Sequence, residues 1–192
     1  KSDMRPKEHS FVRTIHGASE HLLVLINDIL DTSKIEAGKL AIEHTGFSFR
    51  ELFELMVDLL RQKAEEKNIR ILTEIDPELA ERHIGDPHRL KQILINLLTN
   101  AVKFTPRGLI RILCKVEKDE DNQQYVSISI IDTGIGIEQE YIDRIFTKFS
   151  QEDKSTTRNY GGTGLGMFIT KSLVDLMGGT ISVSSRKEIG TH

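Results

Sequence analysis

Residues 86–104, DPHRLKQILINLLTNAVKF, decide the fold. Asp86 and Pro87 supply a capping carboxylate and a first-turn proline, so a helix opens here. At about 100° per residue, Leu90, Ile93, Leu94, Leu97, Leu98 and Ala101 share a buried arc, while Asn96, Asn100 and Lys103 lie within about 60° of one another on the opposite arc. Asparagine is a poor helix former, and a solvated face is made more readily from Glu, Lys or Gln. Paired amides beside an ammonium are suited to a magnesium-bound phosphate group: hard oxygen donors for the metal, positive charge for the anion. By itself N-x-x-x-N-x-x-K is equally consistent with a plain polar face.

The flanking segments extend the pattern. Ser48 and Glu51 form a capping box before Leu52, Leu55, Met56, Leu59 and Leu60, which predicts a helix running to about Lys67. Residues 69–75 alternate as a strand, and residues 109–116 and 125–131 read as an antiparallel hairpin around a polar turn at 118–122. A short helix is expected at 141–146, another at 164–177 and a strand at 180–185. At the front of the chain Phe11, Ile15, Ala18, Leu22, Leu25 and Ile29 recur in steps of four and three. That is a heptad seam on one long helix from Pro6 to about Ala37, widened by Val12, Leu23, Ile26 and Leu30. So broad a stripe fits a four-helix bundle, for which the chain supplies too few partners, so a dimerising stalk is expected.

Glycine marks the second half: eight of the 14 glycines lie between Gly134 and Gly179. Asp132-Thr133-Gly134-Ile135-Gly136-Ile137 leaves a strand with a carboxylate at its end and two glycines that let a ligand approach the backbone. A buried carboxylate there accepts from an exocyclic amine of a purine; the plain alternative is a turn. Gly161-Gly162-Thr163-Gly164-Leu165-Gly166 opens a helix, so backbone amides and a positive helix end can face phosphate oxygens; the alternative is a hinge. No Gly-Lys-Ser/Thr follows, which excludes a P-loop. Residues 147–160 carry no aliphatic anchor besides Phe149 and read as a mobile lid.

Composition narrows the partners. Apolar residues at 38%, with glycine added, reach the globular range, which excludes wholesale disorder. A net charge of −3 offers no attraction to a polyanion, so nucleic acid is not expected. Cys114 is the single cysteine, which excludes an internal disulfide and fits a cytoplasmic setting, whether or not the parent protein is membrane-anchored.

In this order the asparagine pair, Asp132 to Gly136, Phe146 with Phe149, and Gly162 to Gly166 resemble the N, G1, F and G2 boxes of sensor histidine kinases. Residues 26–38, INDILDTSKIEAG, resemble the end of the second dimerisation helix in the hybrid type. The resemblance implies an α+β class fold, a two-layer α/β sandwich with a mixed sheet covered by three helices, shared with gyrase and the large heat-shock chaperones and preceded by a long coiled-coil-like helix. It implies two domains: residues 1–38, a stalk helix whose partner with the acceptor histidine is absent, and residues 45–192, a catalytic ATP-binding domain with its last strand truncated.

Carried over by position, Asn100 ligates Mg²⁺, Asn96 helps hold metal and phosphates, and Lys103 contacts a phosphate. Asp132 reads adenine, Gly134, Gly136 and Ile137 shape its pocket, and Phe104 lines it. Gly162, Thr163, Gly164, Leu165 and Gly166 bind phosphates, with Lys154 and Arg158 reaching the γ-phosphate. The implied reaction is transfer of the γ-phosphoryl of Mg-ATP to a histidine on a dimerisation helix of a homodimer, and onward to a response-regulator receiver domain. In the ATPase relatives the Asn96 position resembles a glutamate base, and a neutral amide cannot take a proton, so hydrolysis is expected to be slow. None of the seven histidines sits in the acceptor pattern His-Glu/Asp-x-x-Thr/Asn-Pro, so this chain alone is not expected to autophosphorylate. Two rivals remain: a degenerate kinase acting as a nucleotide-binding regulatory module, and a serine kinase of the dehydrogenase-kinase type.

Overall fold

The computed structural model describes residues 6–120, 123–150 and 164–192. The chain divides into two compact units, Lys1–Leu40 and Ala41–His192.

The first unit is one helix, α1 (Pro6–Glu36). It ends because Gly38 takes φ +62°, which lets Lys39 N donate to Lys34 O (2.9 Å) and Gly38 N to Ile35 O (3.0 Å), a Schellman closure. Phe11, Ile15, Leu22 and Ile29 of the seam are each more than half exposed.

The second unit begins with β1 (Thr45–Phe47), followed by α2 (Phe49–Glu66), β2 (Ile69–Ile75), β3 (His83–Gly85) and α3 (Pro87–Phe104). Next come β4 (Gly108–Glu120), β5 (Gln123–Asp132), α4 (Gln139–Ile142), α5 (Gly166–Leu176), β6 (Ser185–Arg186) and β7 (Gly190–Thr191). β1 and β3 pair antiparallel apart from the main sheet, whose order is β2-β4-β5-β7-β6. β2 runs parallel to β4 and the other pairs are antiparallel, so the sheet is mixed. A parallel pair needs a crossover, and α3 lies within it.

Both long helices start where the sequence supplies caps. The Ser48 hydroxyl accepts from Glu51 N, and Asp86 Oδ1 accepts from Arg89 N. The other oxygen of Asp86 accepts from Glu43 N at 3.0 Å, tying the segment before β1 to the start of α3. Their apolar faces meet β4 in one core. Phe53, Met56, Leu94, Leu98, Ile110, Ile112 and Cys114 are all fully buried there.

Three expectations are corrected. The strand at 180–185 is reduced to Ser185–Arg186, because the chain turns at 187–189 and returns as β7. β7 enters the sheet between β5 and β6, with Thr191 opposite Asp132. The helix at 141–146 is one turn, Gln139–Ile142, followed by turns. The helix expected from residue 164 starts at Gly166, since Gly164 sits at φ +69°, outside helical space.

Candidate functional site

The polar face of α3 meets the start of α5. Asn96 Nδ2 donates to Thr170 Oγ1 at 2.7 Å, and Asn100 Nδ2 lies 3.7 Å from Met167 Sδ. With its NH₂ directed to Thr170, Asn96 turns its carbonyl oxygen toward Gly166, where a Cβ would overlap it. Gly166 is therefore the contact that lets the two helices approach at the amide pair. Leu165 is buried, and its carbonyl accepts from Ile169 N at 2.8 Å to begin α5. Gly164 packs its backbone on Phe149, whose own φ is +57° and whose ring is exposed.

The C-terminal end of the same helix meets the loop after β5. Ile135 N donates to Phe104 O at 3.1 Å. A Cβ on Gly134 would stand 2.5 Å from Phe104 O, 2.8 Å from Asp132 Oδ1 and 2.9 Å from Thr105 Oγ1, so only glycine fits between the helix end and the carboxylate. Lys67, from the end of α2, caps α3 by donating to Val102 O (2.7 Å) and Lys103 O (2.9 Å). The Lys103 ammonium lies 4.7 Å from the centre of the Phe104 ring, and burial lowers its pKa from the usual lysine value.

Asp132 stands at the end of β5. Burial pushes its carboxyl above the usual carboxylate range, while main-chain N–H groups of Gly134 and Thr191 pull the other way. The Gly134 bond to Oδ1 is 2.8 Å. The hairpin β6–β7 grips the loop from its far side. Glu188 N donates to Ile135 O at 2.7 Å, Ile137 N donates to Ser185 Oγ at 2.9 Å, and Gly136, at φ +66°, leaves room for Arg186 O.

One helix thus joins both glycine segments: at its middle Asn96 faces Gly166 and Asn100 faces Met167, and Phe104 at its end meets Gly134. Lys154, Arg158, Gly162 and Thr163 lie outside the described residues, as does most of the segment read as a lid. Four contributors were missed from sequence. Lys67 and Ser185 act through main-chain groups far along the chain, Thr170 reads as a core residue of α5, and Thr191 becomes visible only through its pairing with Asp132.

The donor set fits a magnesium nucleotide. Thr105 Oγ1 is buried without a hydrogen-bond partner beside Asp132 and Gly134, and the glycines leave backbone open where side chains would fill it. Among the described residues no cluster of His, Cys, Asp or Glu could hold a metal alone. A cation here would rest on amide oxygens, water and phosphate oxygens, as magnesium commonly does.

Comparison with known proteins agrees with this geometry. The family model described as histidine kinase-, DNA gyrase B-, and HSP90-like ATPase matches residues 85–192. The signal transduction histidine-protein kinase BarA of Escherichia coli (strain K12) is 40% identical over 191 residues, covering 100% of this chain and 21% of that protein. Full-length ShkA in complex with AMPPNP superposes with a TM-score of 0.81 at 29% identity, over 99% of this chain and 38% of that one. The histidine kinase ThkA in complex with the response regulator TrrA gives a TM-score of 0.67 at 26% identity, over 99% of this chain and 51% of that one. The chain spans 9–21% of the length of the curated relatives it matches.

Proposed function

Because the chain belongs to the histidine kinase-, DNA gyrase B-, and HSP90-like ATPase family, we propose that residues 45–192 are the catalytic ATP-binding domain of a sensor histidine kinase and residues 1–38 the second helix of its dimerisation stalk. The observation that carries this is the role of α3, whose amide face contacts α5 while its end contacts the loop after β5. A single triphosphate needs both loops.

In this reading Asp132 accepts from the adenine amine, Gly134, Gly136 and Ile137 shape the base pocket, and Phe104 lines it. Asn100 and Asn96 offer amide oxygens to Mg²⁺, and Lys103 neutralises phosphate charge. Gly162 to Gly166 present backbone to the phosphates, with Lys154 and Arg158 toward the γ-phosphate. A bound Mg²⁺ supplies charge neutralisation for phosphoryl transfer. Asn96, a neutral amide, cannot act as general base toward water, which favours transfer to a nucleophile that brings its own base. That nucleophile is a histidine on a dimerisation helix, in a cytoplasmic homodimer assembled through the α1 seam, with a receiver domain as the next acceptor. BarA, a named histidine-protein kinase, and the ThkA–TrrA complex support this assignment.

Calorimetry of Mg-ATP with the wild type and Asp132→Asn tests the site. A large loss of affinity is expected, since a buried site built to read an amine discriminates strongly; unchanged binding removes the adenine assignment. Labelled ATP then tests the reaction. Acid-labile phosphate should form on a separately supplied dimerisation helix carrying the acceptor histidine, and not on this chain alone; absence of transfer would leave a regulatory nucleotide-binding module.

A further inference from the structure

Asp132, Thr191 and Ser185 form one row across three strands. Thr191 on β7 is the register partner of Asp132 on β5 and of Ser185 on β6. Directly opposed residues of antiparallel strands place their side chains on the same face of a sheet. The far end of the row is locked: Ser185 Oγ lies 2.9 Å from Ile137 N, 2.8 Å from Gly190 O and 3.0 Å from Thr191 Oγ1.

Counting protons orients these bonds. The Ile137 amide can only donate and the Gly190 carbonyl can only accept, so the one hydroxyl proton of Ser185 goes to Gly190. Both lone pairs of Ser185 Oγ then accept, one from Ile137 N–H and the other from Thr191. The Thr191 hydroxyl is thereby committed as a donor to Ser185 and turns its lone pairs outward. Its main-chain N–H is already directed to the Asp132 carboxylate. What the row offers a ligand is acceptors only, a carboxylate and a hydroxyl oxygen whose proton is held elsewhere.

We propose that Ser185 is a positioning residue for purine selectivity: by fixing the Thr191 hydroxyl as an acceptor beside Asp132, it makes the site match an amine-bearing purine edge and oppose a carbonyl-bearing one. This rests on the nucleotide reading of the site. Without Ser185 the Thr191 hydroxyl turns freely and donates to a carbonyl as readily as it accepts from an amine.

The test uses ATP and inosine triphosphate, which differ by an amine or a carbonyl at C6 and by a bare nitrogen or an N–H at the adjoining N1. Affinities are measured by calorimetry for the wild type, Ser185→Ala and Ser185→Thr. The wild type should prefer ATP, and Ser185→Ala should lower the ATP-to-inosine-triphosphate preference about tenfold, the scale of one hydrogen bond. Ser185→Thr keeps the hydroxyl and should restore the preference. A merely structural role loosens the loop and weakens both nucleotides alike, so an unchanged ratio in Ser185→Ala overturns the proposal, as does failure of Ser185→Thr to restore it. Should Ser185→Ala not fold, Thr191→Val removes the oriented oxygen directly and must shift the ratio the same way. A wild type that binds neither nucleotide defeats the nucleotide reading itself, a result distinct from an unchanged ratio.

Discussion

Asn96 on α3 and Thr170 on α5 are joined by a 2.7 Å hydrogen bond, and Thr170 is almost fully buried. The helix with the paired amides is thus bonded to the helix that follows the glycine loop. Thr170→Val keeps the shape and removes the acceptor, which leaves the Asn96 amide without its bond. A loss of about 1–3 kcal/mol in stability is expected from denaturant titration. Gly166→Ala probes the other end of the amide. The new methyl overlaps Asn96 Oδ1, a side-chain atom that can swing away, so the fold should survive while Mg-ATP affinity falls at least about tenfold. Unaltered affinity in Gly166→Ala would remove Asn96 from the ligand site.

The shifted carboxyl of Asp132 gives opposite pH slopes for stability and for binding. Burial raises its folded-state pKa above the unfolded value of about 3.9. Its contribution to stability is therefore fully present below the unfolded pKa and is lost as pH rises through the folded one. Nucleotide binding needs the ionised acceptor, so ATP affinity should rise with pH across that same window. Calorimetry and thermal melts from about pH 4 to pH 7 measure both slopes, and Asp132→Asn should flatten both. A binding slope that persists in Asp132→Asn would assign the titration elsewhere.

Much of this architecture was legible before the structure because it is written in local chemistry. The Ser48 and Asp86 caps and the apolar arc of α3 placed two helices, and alternation placed the β4–β5 hairpin. The sequence signal failed where tertiary pairing decides. Residues 180–185 carry strand-like composition, yet the pairing with the last strand takes in only Ser184, Ser185 and Arg186, because the chain reverses at 187–189 and Gly190 must lie against the Asp132 backbone. Lys67 and Ser185 carry no local signal of their roles, since their partners lie 35 and 48 positions away. The candidate site was readable as motifs, but the contacts of Thr170 and Thr191 that orient it have no local signature.

Gly136 and Gly46 make opposite predictions for the same substitution. At Gly136 the backbone is left-handed, φ +66°, and a Cβ would overlap the carbonyl of Arg186, a main-chain atom with nowhere to go. Gly136→Ala should cost about 3 kcal/mol and release the hairpin from the loop. At Gly46 a Cβ meets nothing within 4 Å, so Gly46→Ala should stay within about 0.5 kcal/mol of wild type. Equal effects at the two positions would show that the hairpin contact does not hold the loop.

Cys114 connects the core to the site through a measurable rate. It is the single cysteine of the chain, 1% exposed on β4, and burial, followed by the nearby Asp76 charge, pushes its thiol up to about 11. Neutral and enclosed, it should resist a thiol reagent at pH 8 until β4 leaves the sheet. β4 is paired on both sides, by β2 and β5, so that opening should need the free energy of global unfolding. A ligand that binds only the folded state slows such opening by mass action, about a hundredfold at a concentration one hundred times its Kd. Mg-ATP should therefore protect Cys114 by that factor. Labelling that proceeds within minutes in native buffer would show the sheet opening locally, and labelling indifferent to saturating Mg-ATP would uncouple β4 from the loop at its neighbour's end.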